Sequence, residues 1–492
     1  MKSVKITLLF SFVLAIGLSS CSPDLDLAPL GSQSVSTYYK TAADADAATI
    51  AMYGQLRNMY RDENLVTPNV VAADDGIPFL TGNADRVALW RYGTVPTNTF
   101  VGNIWSNAYT AIQRSNIVIE RVPAIQMDET TKKGYVGEAR FLRALQYFTL
   151  VQFFGGVPLV TKETTSLENV EVPRASVDEV FKLIESDLKE AETVLPKAYT
   201  GSNIGRATAG AAKGLLAKVY LVWAGKNASS PYWALAAAKA KEVIDLGTYD
   251  LWANYADVFE LKNRGGKESL FEVMYITDLA GNNFTTGYAP RGAPIVPNGG
   301  SGIFRVSKNL FDSYPAADKR KPVTFLTAYV NPTTKANVPL SVDDADPAKA
   351  VSFWKLVDLT STVGGNGGKS FSILRFSDVL LIYAEALSEA SNGPNAEAYT
   401  AINRVRNRAG LEPLSGLTRQ QFKDAVLLER RLEFCFEGNR WFDLARTGKL
   451  VDAVKAETSF GRAPTIQAFH TLLPIPQREI DANPALKQNE GY

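Results

Sequence analysis

Apolar residues recur at helical spacing through both ends of the chain. Val177, Phe181, Ile184, Leu188, Ala191 and Leu195 fall on one helical stripe, opened by Ser176-x-x-Glu179 and stopped by Pro196. A Ser or Thr followed three residues later by Glu or Gln can close two backbone amides reciprocally, so this spacing predicts a helix start. Thr418-x-x-Gln421 repeats the pattern ahead of Phe422, Ala425 and Val426. Phe376, Val379, Leu380, Tyr383 and Leu387 predict a further helix, and Ala398, Ile402, Val405 and Ala409 another, ended by Gly410. Residues 138–154 are apolar on most of their circumference, with Arg140, Arg143 and Gln146 as the polar row. A helix of that kind packs on more than one side and is expected to sit centrally. Residues 207–223 begin rich in Ala and Gly, which admits close approach of neighbouring helices. Gly214-x-x-Ala217-x-x-Tyr220 faintly matches a tetratricopeptide helix, but no clean repeat of about 34 residues accompanies it.

Two stretches break this pattern. Residues 69–100 carry Asp74, Asp75, Phe79, Trp90, Arg91 and Tyr92 with no helical stripe. Residues 250–370 are rich in Gly, Pro, Asn and aromatics, as in Tyr288-Ala-Pro-Arg291-Gly and Pro297-Asn-Gly-Gly-Ser-Gly302. Long irregular segments of a compact protein are commonly functional, and the aromatics here argue against disorder. Gly364-Gly-Asn-Gly-Gly368 lacks the lysine and the strand–helix context of a phosphate loop and reads as a flexible loop.

The N-terminus reads as a leader. Lys2 and Lys5 precede an apolar run over residues 6–18, too short to span a bilayer comfortably, and Leu18-Ser-Ser-Cys21 follows. That tetrapeptide resembles a bacterial lipobox, which implies cleavage before Cys21 and lipid on its sulfur. Several acyl chains hold a protein at a membrane where one does not. The next residues, with two prolines and no helical period, read as a tether; Asp24 and Asp26 resemble an acidic export signal.

Composition narrows the chemistry. The 492 residues carry a formal net charge of +1, which becomes −1 once Lys2 and Lys5 leave with the leader, so nothing points to nucleic acid or an anionic membrane. There are two cysteines; with Cys21 lipidated, Cys435 has no partner for a disulfide. His470 is the only histidine, so a Ser-His-Asp site or a zinc cluster is not expected, nor any other metal or cofactor. A two-carboxylate glycosidase needs only Asp and Glu, but no local signature for the pair is present. Glu429 and Glu433 lie one helical turn apart among Arg430 and Arg431, as structural ion pairs do. Asp74-Asp75 could hold a cation, accept sugar hydroxyls or form an Asx-turn.

Several strings together carry a family resemblance. Glu138-Ala-Arg-Phe-Leu-Arg-Ala-Leu, Phe153-Phe-Gly-Gly-Val-Pro-Leu-Val160, Arg375-Phe-Ser-Asp-Val-Leu-Leu-Ile-Tyr-Ala-Glu-Ala386 and Ala401-Ile-Asn-Arg-Val-Arg-Asn-Arg-Ala-Gly-Leu411 resemble the SusD/RagB family, as do Phe436-Glu-Gly-Asn-Arg-Trp-Phe-Asp-Leu-Ala-Arg446 and Leu473-Pro-Ile-Pro-Gln-Arg-Glu-Ile480. The matches run in family order over nearly the whole chain; one departure is Glu490, where the family often has proline. The resemblance implies a mostly α fold: a helical scaffold with tetratricopeptide-like helix pairs and a loop-rich ligand-binding side. On this reading residues 1–20 are the signal peptide, 21–36 the lipidated tether and 37–492 a single SusD-like domain. Its scaffold lies mainly at 102–249 and 371–450, with insertions at about 69–100 and 250–370.

The resemblance also implies function. The expected protein is a non-catalytic lipoprotein, anchored at Cys21 and facing outward from the outer membrane. It would bind nutrient oligosaccharides and pass them to a SusC-like TonB-dependent transporter. A peptide-binding member of the family and a glycoside hydrolase are the alternatives. Aromatic faces stack on sugar rings while neighbouring polar groups bind hydroxyls. Asp74, Phe79, Trp90, Tyr92, Phe284, Tyr288, Arg291 and Phe304, all in the irregular stretches, are therefore the expected ligand-binding residues.

Overall fold

The computed structural model describes residues 39–61, 64–166, 168 and 170–492, so the leader and the whole tether, Cys21 included, lie outside the described residues. The first half is built on α1 (Ala42–Arg61), the short α2 (Val66–Val71), α3 (Ala84–Arg91), α4 (Thr99–Arg121), α5 (Glu129–Phe154), α6 (Val177–Val194), α7 (Ala209–Ala224) and α8 (Tyr232–Asp245). Three short helices follow, α9 (Phe284–Tyr288), α10 (Lys308–Ser313) and α11 (Lys321–Thr324). The C-terminal part is α12 (Phe376–Ala390), α13 (Ala396–Arg408), α14 (Arg419–Glu433), α15 (Arg440–Thr447), α16 (Leu450–Ala456) and α17 (Gln477–Ala482).

Helix ends form where the capping chemistry predicts. Ser176 Oγ accepts from the Glu179 amide at 3.3 Å while Glu179 Oε2 accepts from the Ser176 amide at 2.8 Å. Thr418 and Gln421 close α14 in the same way. Gly410 follows α13 with φ +77°, a left-handed turn that glycine adopts without strain. The long helices stack in sequence: α4 on α5, α5 on α6, α6 on α7, α7 on α8, then α8 on α12 and α12 on α13. The fold is thus mostly α, a scaffold of tetratricopeptide-like helix pairs.

α5 is the central helix. It is buried along almost its whole C-terminal half, and the two arginines of its polar row are used internally. Arg143 donates to Asp187 of α6 at 2.7 and 2.8 Å and to Asn116 of α4 at 2.9 Å, and Arg140 reaches the same carboxylate. The buried Asp187 carboxylate ties α5 to α6, Asn116 adds α4, and Glu190 supplies Arg140 with a second counter-charge.

The irregular stretches fold as loops and the short helices α3, α9, α10 and α11, pinned by two-stranded antiparallel ribbons: β1 (Gly76–Pro78) with β3 (Phe304–Val306), β2 (Ser269–Val273) with β8 (Phe371–Arg375), β4 (Phe325–Leu326) with β7 (Ser352–Phe353), and β5 (Ala328–Val330) with β6 (Asn337–Pro339). The first ribbon pairs Gly76 with Val306 and Pro78 with Phe304, which joins the two stretches into one face.

One expectation fails here. The segment from Gly364 to Gly368 is not a loose loop but is packed against the 276–283 turn. A Cβ on Gly368 would lie 2.2 Å from Thr277 Oγ1, and one on Gly367 2.3 Å from Thr285 Oγ1. Glycine is needed there for close approach.

Candidate functional site

The loop-rich side is organised by a buried aromatic cluster. Phe353 stacks on Phe436 at 3.6 Å between ring centres, Tyr288 meets Phe436 edge-on at 4.7 Å, and Phe284 stacks on Tyr288 at 5.4 Å. Phe304 joins the same cluster. Each of Phe284, Tyr288 and Phe304 is at most 2% exposed. Such rings stabilise the base of the loops and present no face to a ligand. The expectation that these three bind sugar from the surface is therefore corrected: burial removes their stacking faces.

Trp90 and Tyr92 are corrected for the same reason. Trp90 is 1% exposed, and Arg462 lies over its ring at 5.4 Å. The Arg462 guanidinium donates to the carbonyls of Trp90, Ala73 and Val71, clamping the segment between α2 and α3. Tyr92, buried, takes the left-handed conformation that ends α3 and donates its hydroxyl to the Ala72 carbonyl.

Asp74 is likewise engaged. Its two oxygens accept a bidentate pair from Arg440, each at 2.7 Å. Arg431 bridges Asp75 at 2.8 Å and approaches Asp74 at 3.1 Å. Burial alone would raise the Asp74 carboxyl, but Arg431 and Arg440 outweigh it and hold the group well below the usual carboxylate range. An acid saturated by two guanidinium groups has little left for a cation or a sugar hydroxyl. Its role is to fasten the entry to β1 onto α14 and α15.

Phe79 and Arg291 remain at the surface, and the structure brings them together. Arg291 is exposed, and its guanidinium lies 4.0 Å from the centre of the half-buried Phe79 ring. Phe79 is held by β1, its amide donating to the Ile303 carbonyl at 3.3 Å. Arg291 is positioned through its Nε, which donates to the Ser301 carbonyl at 3.3 Å, and through its amide, which donates to Pro347 O at 3.0 Å. The second contact joins the 290–302 and 341–350 loops, on which Asn298, Asp343 and Asp346 are exposed. The 290–302 loop is tightly knit: a Cβ on Gly300 would sit 2.1 Å from Pro290 O.

Asn298, Asp343 and Asp346 were not singled out by sequence. The signal near Asn298 was the Pro297-Asn-Gly-Gly turn, which fits its φ of +61°. The dense acid–arginine strings near the C-terminus form buried ion pairs. Arg375 pairs with Glu268, Glu433 and Glu437, and Arg430 with Asp378 and Asp443. Among the described residues no group of three or more His, Cys, Asp and Glu could hold a metal ion, and no helix is long and apolar enough to cross a membrane.

Known proteins share this architecture. Residues 327–492 match the model of the SusD family, and residues 30–221 match a model described as "Starch-binding associating with outer membrane". SusD-like protein P25 of Formosa agariphila is 27% identical, over 96% of this chain and 97% of the relative. A solved laminarin-binding SusD-like protein is 28% identical with a TM-score of 0.80, covering 92% of this chain and all of the other. Surface glycan-binding protein A from Bacteroides thetaiotaomicron, solved in complex with laminarihexaose, is 25% identical with a TM-score of 0.78, again over 92% of this chain and all of the other. The two family matches fall on the helical scaffold at both ends and the likeness extends across the loops between them: the chain belongs to the SusD/RagB family.

Proposed function

We propose that this protein is a non-catalytic oligosaccharide-binding lipoprotein of the outer membrane, anchored through Cys21, that passes its ligand to a SusC-like TonB-dependent transporter. The observation that carries the reading is the surface Phe79–Arg291 pair, exposed at Arg291, on a tightly packed, loop-built face. A guanidinium lying on a ring offers a planar surface for the apolar face of a sugar, and its terminal N–H groups point donors at hydroxyls. The buried base beneath holds that surface in place without contributing to it. Two further facts support binding over hydrolysis. The densest carboxylates are neutralised by arginines, and relatives of similar sequence and shape are named for laminarin or for surface glycans.

Titration calorimetry with laminarihexaose and with a malto-oligosaccharide tests the binding step. Aromatic platforms are worth ~1–3 kcal/mol per contact for nucleobases, and a sugar contact is expected to be no larger. Phe79→Ala and Arg291→Ala should each weaken binding within that bound and leave the melting temperature unchanged. Unaltered affinity in the double variant would place the site elsewhere, and release of new reducing ends from either glycan would favour a hydrolase. The transfer step rests on the partner. Tagged full-length protein, extracted in mild detergent from cells grown on the nutrient, should retain a large outer-membrane barrel through moderate salt. A near-neutral surface gives salt little to screen. Repeated recovery of the protein alone would leave an independent surface binder.

A further inference from the structure

A second cleft, of about 370 Å³, opens between α1, the 202–206 loop and the end of β2. Its walls differ from the Phe79–Arg291 face. Ile50, Leu56, Ile204 and Met274 make them largely aliphatic, and Ile50 and Ile204 are 54% and 44% exposed. The helix surface is bare at Gly54, where a Cβ would meet no atom within 4 Å. Tyr53 also lines the cleft, but its hydroxyl is committed, donating to Glu138 at 2.6 Å and accepting from the Ala207 amide at 2.9 Å.

One charge in this cleft has no acidic partner among the described residues. Arg57 is half-buried, and its Nε is shielded from solvent without a hydrogen-bond partner. Among the described residues its contact is with the Tyr275 ring, 5.9 Å from the guanidinium carbon, and no carboxylate pairs with it. The other arginine, Arg206, is already balanced by Asp46 and Glu138. Glu272 lines the same cleft, but its Oε1 accepts from the Gly265 amide at 2.6 Å, and burial raises its pKa, so it opposes an incoming anion less than a solvated acid would. A half-buried guanidinium without a counter-charge carries a desolvation cost that an anionic ligand would offset.

We propose that this cleft binds a carboxylate borne on an aliphatic stem, with the carboxylate on Arg57 and the stem against Ile50, Leu56, Ile204 and Met274. An oligosaccharide is a poor occupant, since the walls are largely aliphatic and the Tyr53 hydroxyl, Arg206 and Glu272 are already engaged. The carboxylate chemistry has two sources, a free aliphatic acid or the C-terminal residue of a peptide.

The test is titration of the full chain, followed by NMR or calorimetry, with four probes at millimolar concentration: N-acetyl-leucine, hexanoate, N-acetyl-leucinamide and glucuronate. N-acetyl-leucine and hexanoate are expected to bind, and the tighter of the two identifies the source. The uncharged amide and the polar acid should bind about tenfold more weakly or not at all, since a charge-assisted bidentate contact and an apolar stem are both required. Arg57→Gln should abolish the difference between acid and amide, and Arg57→Lys should restore part of it. Laminarihexaose affinity should be the same in wild type and Arg57→Gln, so failure here is distinct from failure of the glycan site. Binding of neither acid, equal binding of acid and amide, or acid binding untouched by Arg57→Gln would each overturn the proposal. Because Arg57 makes no ion pair among the described residues, Arg57→Gln should keep the native melting temperature; a variant that unfolds would overturn the claim that its charge is unspent.

Discussion

Arg375 shows how a single residue can hold two halves of a fold together. Its guanidinium is 2% exposed and meets three acids: Glu268 at 2.7 Å, Glu433 at 2.8 Å and Glu437 at 2.8 Å. Glu433 in turn accepts from Arg408 and Arg320, and Glu437 from Lys355 at 2.6 Å. Acids and bases alternate, so each of these three acids has a counter-charge on more than one side. Assembling such a network gains little over a well-packed apolar core, because desolvation offsets the attraction, but breaking it is costly. Arg375→Met removes one cation and leaves three carboxylates facing one another. Denaturant unfolding should show a loss of ~3–5 kcal/mol, the usual cost of orphaning a buried partner. A loss under ~1 kcal/mol, the scale of an exposed pair, would mean that water reaches the network.

At the scale of elements, the 276–283 turn and the 358–368 loop behave as one unit. Asp278 sits in the left-handed region at φ +58° and accepts from the Thr362 amide at 2.9 Å, the Ser361 hydroxyl at 2.8 Å and the Val363 amide at 3.1 Å. The Thr362 hydroxyl and amide lead a set of donors that holds its carboxyl down at about 2. Asn tolerates the same backbone conformation, so Asp278→Asn removes the charge without adding strain. Hydrogen exchange at Thr362 and Val363 should quicken while the melting temperature hardly moves, since the scaffold helices are untouched. Unchanged protection at both amides would show that glycine packing alone fixes the loop.

The same elements mark what was legible in the sequence. The stripes and capping boxes of α6 and α14, the apolar circumference of α5 and the stop at Gly410 are local signals, and all appear as read. The burial of Trp90 and Tyr288 is not local. Trp90 is covered by Arg462, some 370 positions away, and Tyr288 by Phe436. No periodicity within an irregular stretch reports such contacts, so aromatics that hold the loops looked the same as aromatics that could face a ligand. Phe79 and Arg291 lie at the surface, but their stacking depends on the β1–β3 register, which three-residue strands are too short to announce.

Across the whole molecule, buried carboxylates of two kinds set the response to acid. Asp378 and Glu433 belong to the first kind. Burial would raise both, but Lys218 and Arg430 hold Asp378 at about 2, and Arg408, Arg375 and Arg320 hold Glu433 well below its ordinary range. A depressed folded-state pKa contributes stability that is present above the unfolded value, near ~4, and is lost as pH falls through the folded one. Glu138 and Glu272 are the second kind, raised chiefly by burial. Their ionised forms are disfavoured in the fold, so they lower stability at neutral pH and release that penalty as they take up protons. Acidification from neutrality to pH ~5 should therefore leave the melting temperature level or slightly raised, as the raised acids protonate first. Below pH ~4 the depressed acids begin to bind protons in the unfolded chain, and the melting temperature should fall steeply toward pH ~2. Calorimetric scans from pH 8 to 2 would check this. A melting temperature that declines steadily from pH 8 to 5 would mean that titrating groups outside the ion network govern stability.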